Sequence, residues 1–269
     1  MINRRAFLIG SITVTLLGSP LFSALAEKKK KRNLVVISLR GGMDGLSAVP
    51  PIDHKLEKFR PDILVKKTLP LTSDFALHRR AEIKEGQRIL VNAAAGGVGL
   101  AAVELAKLSN AEVIAAVGSK EKAEFIKKYN PDLIINYREE NLRETIEDKY
   151  GKRPINIFYD QVGGEPYEEG LRLLSSEGKA LIVGFASGNI PSQLLSYLLV
   201  RNISLMGVFM ISFENDDKEY LETRMKTIFD RYLSKEIKPI YKTINFDEIV
   251  KYLEFIGSRK TIGRIVALR

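Results

Sequence analysis

The sequence predicts an α/β fold, a doubly wound parallel sheet over residues 81–269, behind an N-terminal stretch of different character. Three observations carry this. From Ala81 onward, short apolar runs alternate with helix-forming stretches, the pattern of βαβ units. A glycine-bearing turn closes the first of these runs and opens a helix. The composition, 45% hydrophobic and 28% charged, is that of a globular chain.

Taken in order, the chain opens with an adjacent pair, Arg4 and Arg5, and an uncharged run from Ala6 to Ala26 that ends in Ala24-Leu25-Ala26. This small-x-small form is what a signal peptidase accepts. The segment resembles a twin-arginine export signal, with Asn3 and Ile9 as departures from the pattern. Two readings stay open for residues 1–26: a cleavable signal, or a membrane anchor contacting the bilayer through residues 6–26. The basic run Lys28–Arg32 follows on the side to be exported, against the usual preference of Lys and Arg for the cytoplasmic side. Residues 27–80 hold one apolar strand, Leu34–Leu39, then Gly41-Gly42 and Asp44 at the turn exit. Up to His78 this stretch resembles the start of an exported bacterial family akin to alkaline phosphatases and sulfatases. In that family the Asp44 position often binds metal, but one carboxylate makes no site, and a turn role is expected.

Beyond Ala81 the expected strands are Arg88–Ala93, Glu112–Gly118, Leu133–Tyr137, Ile155–Asp160, Ala180–Phe185 and Ile203–Phe209. The expected helices are Val98–Ser109, Glu121–Tyr129, Leu142–Tyr150, Tyr167–Ser175 and Ser192–Val200. Right-handed crossovers put these helices on both faces of one parallel sheet. All strand C-termini then share one edge, where ligands bind in such folds.

The first strand runs into NAAAGGVGLAAVELAKL, which reads as the dinucleotide fingerprint Ala94-x-Gly96-x-x-Gly99 of a Rossmann fold. Gly96 would let backbone approach a pyrophosphate, and Gly99 would let the helix pack close to the strand. The amides of Gly97 and Val98 would face the anion from a helix N-terminus. Ala94 replaces the usual first glycine. At the end of the second strand an acid would bind a ribose 2′-hydroxyl. Gly118-Ser119-Lys120 stand there instead, and a hydroxyl plus an ammonium favours a 2′-phosphate, hence NADP. Ser119 also reads as the N-cap of the next helix. Tyr137 would cover the adenosine end. Val162, Gly163, Gly184, Phe185, Phe209 and Met210 follow other strand ends and should line the same crevice.

Other function classes recede. Net charge is +9, but five of the positive charges lie in Lys28–Arg32, so no nucleic-acid face is expected. With no cysteine and only His54 and His78, disulfides and thiolate metal sites are excluded, and a metal-free protein is expected beyond residue 80.

RAEIKEGQRILVNAAAGGVGLAAVELAK, INY, YDQVGG, LIVGFASG and GRIVAL together resemble the zinc-free NADPH:quinone oxidoreductases of the medium-chain dehydrogenase/reductase superfamily, over residues 79–269. The resemblance implies hydride transfer from NADPH to a quinone or enone, and a homodimer joined through the sixth strands. It implies that Ala94, Gly96, Gly97, Val98 and Gly99 hold pyrophosphate and that Ser119, Lys120 and Tyr137 hold the adenosine phosphate. Val162, Gly184, Phe185, Phe209 and Met210 would surround the nicotinamide, with Arg264 near the cofactor. It also implies that the usual N-terminal GroES-like domain is missing and that two families are fused near Ala76-Leu77-His78. The strand GRIVALR would lose its usual partner, leaving NLVVISLR as a candidate replacement. Alternatives to the reductase are an NADP-binding module without turnover and an exported or anchored protein of the N-terminal family. Activity is expected in the cytoplasm or at its membrane face, or in the periplasm if the signal works.

Overall fold

A computed structural model describes residues 69–209, 216–258 and 260–268. The export-type segment, Leu34–Leu39, Asp44, His54 and Met210 lie outside the described residues.

Apolar, β-branched runs form the strands β1 (Arg88–Val91), β2 (Glu112–Val117), β3 (Leu133–Asn136), β4 (Ile155–Asp160), β5 (Leu174–Ile182) and β6 (Ser204–Gly207). All pair in parallel, in the order β3-β2-β1-β4-β5-β6. This is the doubly wound order with its switch point between β1 and β4. The central strands are buried on both faces, as Leu90, Val91, Ile114 and Ala115 show. That is why they read as continuous apolar runs rather than alternating ones.

One face is covered by α2 (Gly97–Leu108) and α3 (Lys120–Ile126), the other by α4 (Leu142–Tyr150), α5 (Glu165–Arg172) and α6 (Leu195–Arg201). Asn141 caps α4 by accepting from the amides of Arg143 and Glu144, and Ser119 caps α3 by accepting from Lys122. The expected helix Tyr167–Ser175 ends earlier, at Arg172, because Leu174 already joins β5 opposite Ile155. A register shift follows before Ile157 pairs with Lys179.

The first correction concerns the domain boundary at residues 80/81. Helix α1 (Leu69–Asp74) runs on as a π-helical turn through Phe75–Arg80 and belongs to the sheet's own core. Leu71, Phe75, Ala76 and Leu77 are buried in the same cluster as β1 and α2. Ser73 Oγ donates to the carbonyl of Val98, and Asp74 takes two hydrogen bonds from Arg224, at 2.7 and 2.6 Å. Arg224 sits on α7 (Lys218–Leu233), which carries Leu221 and Ile228 onto the same face. FALH therefore packs as part of the α/β domain.

The second correction concerns GRIVALR. It is not left without a partner: as β8 (Arg264–Leu268) it pairs in parallel with β7 (Tyr241–Asn245). Helix α8 (Ile249–Gly257) connects the two and buries Ile249 and Ile256 against Ile244 and Ile265. The proposed partner NLVVISLR lies outside the described residues. Among the described residues no helix is long and apolar enough to cross a membrane.

Candidate functional site

Backbone hydrogen bonds continue past the strand ends and fix the rim of the sheet. Tyr137 N–H donates to Val117, Ala94 to Ala116, Asn92 to Tyr159, Val183 to Asp160 and Val208 to Ile182. The segments read from the sequence as one crevice are thus pinned, each to its neighbour, along one edge.

The turn after β1 is built around Ala93, whose φ of 49° is left-handed, a conformation that costs energy in a residue with a Cβ. Its surroundings hold it there. Asn92 Oδ1 accepts from the amide of Ala93, and Gln161 Nε2 donates to the carbonyls of Asn92 and Ala93. Gly96 then caps α2 with no side-chain hydrogen bond. The first-turn amides of Gly97, Val98 and Gly99 have no carbonyl of their own helix to pair with. They form the positive end of a twelve-residue helix.

The glycines of this turn differ in what they must avoid. A Cβ on Gly99 would land on the carbonyl oxygen of Ala93 and lie 2.8 Å from Ala94 Cα, whereas one on Gly96 would make an ordinary 3.4 Å contact. Gly99 is thus dictated by helix–strand packing, as read from the sequence. Gly96 has room, and its lack of a side chain matters only to something outside the protein.

Arg264, expected near the cofactor, lies beside the turn that opens α2. Only 3% of it is exposed, and its Nη2 donates to the carbonyl of Gly97 at 3.3 Å. Beside it, Gly263 N–H donates to Ala95. Because a peptide plane is rigid and trans, holding the Gly97 carbonyl also aims the Val98 amide the opposite way. The Nε of Arg264 is buried without a hydrogen-bond partner, an uncompensated donor beside the turn. Burial lowers the Arg264 pKa, opposed by the charges of Glu104 and Tyr129.

At the end of β2, Tyr137 packs over Gly118: a Cβ there would lie 2.6 Å from the Tyr137 hydroxyl oxygen. Lys120 is 82% exposed and pairs with Glu139 at 3.5 Å. Lys122, which reads from the sequence as simply exposed, is half-buried. Its pKa is pushed down by burial and then by the nearby charge of Arg138. Lys122, partly desolvated and near enough to feel the charge of Arg138, is a second candidate for a phosphate beside the solvated Lys120.

On the opposite side of the switch point, the loop after β5 folds over the turn after β4. Ala186 and Ser187 donate to the carbonyls of Gln161 and Val162. Gly163 has a φ of 71°, and a Cβ on it would lie 2.5 Å from the Asn189 carbonyl oxygen, so its requirement comes from the protein itself. Gly184 has space, with only a 3.6 Å contact to Gln161. Val162 and Phe185 are half-buried here, while Phe209 is exposed. Asp160 is fully buried at the end of β4, and burial raises its pKa despite three donors. Sequence reasoning missed it with Asn92 and Gln161, although YDQVGG contains two of the three.

Among the described residues no group of three or more histidines, aspartates or glutamates is arranged to hold a metal ion. The fit to a dinucleotide is better supported: a glycine turn with unpaired amides, a buried guanidinium Nε lacking a partner, and a cationic corner where an acid would exclude a 2′-phosphate.

Comparison with known proteins points the same way. A family model described as zinc-binding dehydrogenase matches residues 97–226. Quinone oxidoreductase-like protein 2 of Bos taurus is 30% identical over 233 residues, covering 84% of this chain and 67% of that protein. Its Mus musculus counterpart is 32% identical over 197 residues, with 72% and 56% covered. The chain thus spans little more than half the length of some of the curated relatives it matches. The crystal structure of Escherichia coli quinone oxidoreductase complexed with NADPH superposes with a TM-score of 0.70 at 28% identity, covering 75% of this chain and 63% of that one.

Proposed function

We propose, on the premise that this chain belongs to the quinone oxidoreductase-like family of medium-chain reductases, that it is an NADPH-dependent reductase of quinones or enones. The observation that carries this reading is the rim itself: free helix amides at Gly97–Gly99 with a cationic corner at Lys122 and Arg138. When bound there, NADPH supplies the hydride, and no acid–base triad is required of the protein. The chain's own residues bind and orient. Gly97, Val98 and Gly99 hold the diphosphate, Arg264 aims their turn, and Ser119, Tyr137 and Lys122 or Lys120 meet the adenosine phosphate. Val162, Gly184 and Phe185 bound the nicotinamide, with Phe209 following β6; Met210, expected with them, lies outside the described residues. Steady-state consumption of NADPH, with and without a soluble quinone or an enone, tests this reading. Binding without consumption would favour the module that binds but does not turn over.

Lys122 rather than Lys120 is the residue expected to select NADPH. Lys122→Glu should weaken NADPH binding by at least about tenfold and leave NADH nearly unchanged. Lys120→Gln, which removes only a solvated charge already paired with Glu139, should change the ratio by less than about threefold. Fluorescence titration of both nucleotides distinguishes the two, and the reverse order would move the phosphate site to Lys120.

The partner is a second copy of this chain. Among the described residues β6 is the last strand of the sheet, and the loop and helix before it expose Ile190, Leu194, Leu195, Leu199 and Val200. Leu195 and Leu199 are 80% and 78% exposed. An unpaired edge strand beside an apolar helix face invites pairing with another chain. Light scattering after gel filtration should give a dimer, and Leu195→Asp with Leu199→Asp should give a monomer with its sheet intact by circular dichroism. A monomeric wild type would remove this partner.

A further inference from the structure

The end of β4 carries a buried polar cluster that joins the two halves of the crevice. Asp160 is fully buried. One carboxylate oxygen, Oδ1, accepts from Asn92 Nδ2 at 2.7 Å and from the Val162 amide at 3.2 Å. The other, Oδ2, accepts from the Gly163 amide at 2.9 Å. Asn92 in turn holds the left-handed Ala93 through its own Oδ1. One carboxylate thus touches the turn that opens α2, through Asn92, and the turn that follows β4, through Val162 and Gly163.

An acid here comes at a cost, because burial disfavours its charge. A buried carboxylate kept at such a cost, with every described contact a donor, calls for a reason beyond packing. Its neighbours Phe158 and Tyr159 show that this strand accepts apolar residues freely. The reason offered by the geometry is registration. The diphosphate and nicotinamide sites lie on separate loops after β1 and β4, and a dinucleotide must meet both at once. A small mutual displacement would cost binding at both ends.

We infer that Asp160 and Asn92 form a positioning latch that sets the diphosphate turn and the Val162–Gly163 turn at the spacing one dinucleotide needs. The inference rests on the reductase reading for the identity of the ligand, but the latch itself can be measured without ligand.

The test is an exchange of the pair in the full chain. Asp160→Asn turns one acceptor into a donor facing the donors of Asn92, Val162 or Gly163. Asn92→Asp sets two carboxylates against each other. The double variant, Asp160→Asn with Asn92→Asp, restores one donor and one acceptor. The amide now at the end of β4 donates to the carboxylate now following β1 and keeps its oxygen for the Gly163 amide; only the longer bond from the Val162 amide, which shared Oδ1 with Asn92, is given up. That carboxylate retains an oxygen for the Ala93 amide. Each single variant should weaken NADPH binding by about tenfold or more, the effect of spoiling a buried charge-assisted hydrogen bond. The exchange should recover affinity to within about threefold of wild type, since the coupled pair is non-additive. Amide hydrogen exchange of the ligand-free proteins should show residues 161–164 losing protection in the single variants and regaining it in the exchange. A double variant no better than the singles in both readouts would overturn the latch. So would single variants that bind NADPH as wild type does. Protection that responds as expected while NADPH affinity does not would overturn the positioning role. A wild type with no affinity for NADPH would instead overturn the reductase reading, and the exchange data would still decide whether the latch exists.

Discussion

Gly99→Ala should strip the protein of nucleotide binding and destabilise it together, whereas Gly96→Ala should lose binding alone. The distinction follows from what each added methyl meets. On Gly99 it collides with the Ala93 carbonyl, Ala94 Cα and Gln161 Nε2, the last two at 2.8 and 2.9 Å. Two of these are backbone, and Gln161 is itself engaged in holding the turn. Helix α2 must therefore move away from β1, and overpacking of a tight core costs about 1–3 kcal/mol or more. The same movement carries the Gly97 and Val98 amides out of line, so NADPH affinity should fall by about a hundredfold or more. On Gly96 the methyl has room, and its φ of −79° suits alanine. Gly96→Ala should melt within a degree or two of wild type, roughly the scatter of a neutral surface change, yet lose most of its affinity. Thermal melts with fluorescence titration separate the cases. Gly99→Ala with wild-type affinity would mean that α2 is not held against the strand as described.

The sheet was legible in the sequence because its strands are buried on both faces and its helices are amphipathic. The expected Leu142–Tyr150 helix and Ile155–Asp160 strand coincide with α4 and β4. Legibility failed where the signal is not local. Helix α1 and the π-helical turn after it have a short apolar pattern, Leu71, Phe75, Ala76 and Leu77, whose purpose appears only once α2 lies beneath it. A likeness to another family placed FALH on the wrong side of the boundary. Helix α7 is so charged that Leu221 and Ile228 are its only buried residues, with Tyr220 and Met225 half-buried beside them. Strand β7 buries only Ile244, too little alternation to announce a strand. In the site, the glycine turn was readable because its requirements are backbone requirements. The Asn92–Asp160 pair was not, since its partners lie 68 positions apart. Nor could spacing choose between Lys120 and Lys122, which differ in burial and not in chemistry.

The largest effect on stability should come from removing α1. A chain that begins at Ala81, the boundary drawn from the sequence, should not fold, while the full chain should melt cooperatively. Leu71, Phe75 and Leu77 are each at most 3% exposed. Burying such side chains contributes about 1.5–3 kcal/mol apiece. Their loss would take away an amount comparable with the roughly 5–15 kcal/mol that holds a whole domain together, and would bare the α2 surface they cover. Arg224→Ala is the single-residue form of the same experiment. It leaves Asp74, 1% exposed, without its bidentate partner. Stranding a buried charge costs roughly 3–5 kcal/mol. Because Arg224 is 23% exposed and His78 Nδ1 still lies 2.9 Å from the carboxylate, solvent and histidine reduce this to about 3 kcal/mol. The melting temperature should fall by roughly 6–12 °C in a domain of this size. Acid adds a second signature. Burial pushes the Asp74 carboxyl up, but hydrogen bonds and charge from Arg224 and His78 outweigh it and hold it below its ordinary value. A depressed carboxyl stabilises the fold above its unfolded value, near pH 4, and that stabilisation disappears as the pH falls through the lower folded value. Wild type should therefore lose stability below about pH 4, and Arg224→Ala should lose less over the same range, having less to lose. An Ala81 start that folds and melts like the full chain, or an Arg224→Ala variant indifferent in both measurements, would return the boundary to residue 81.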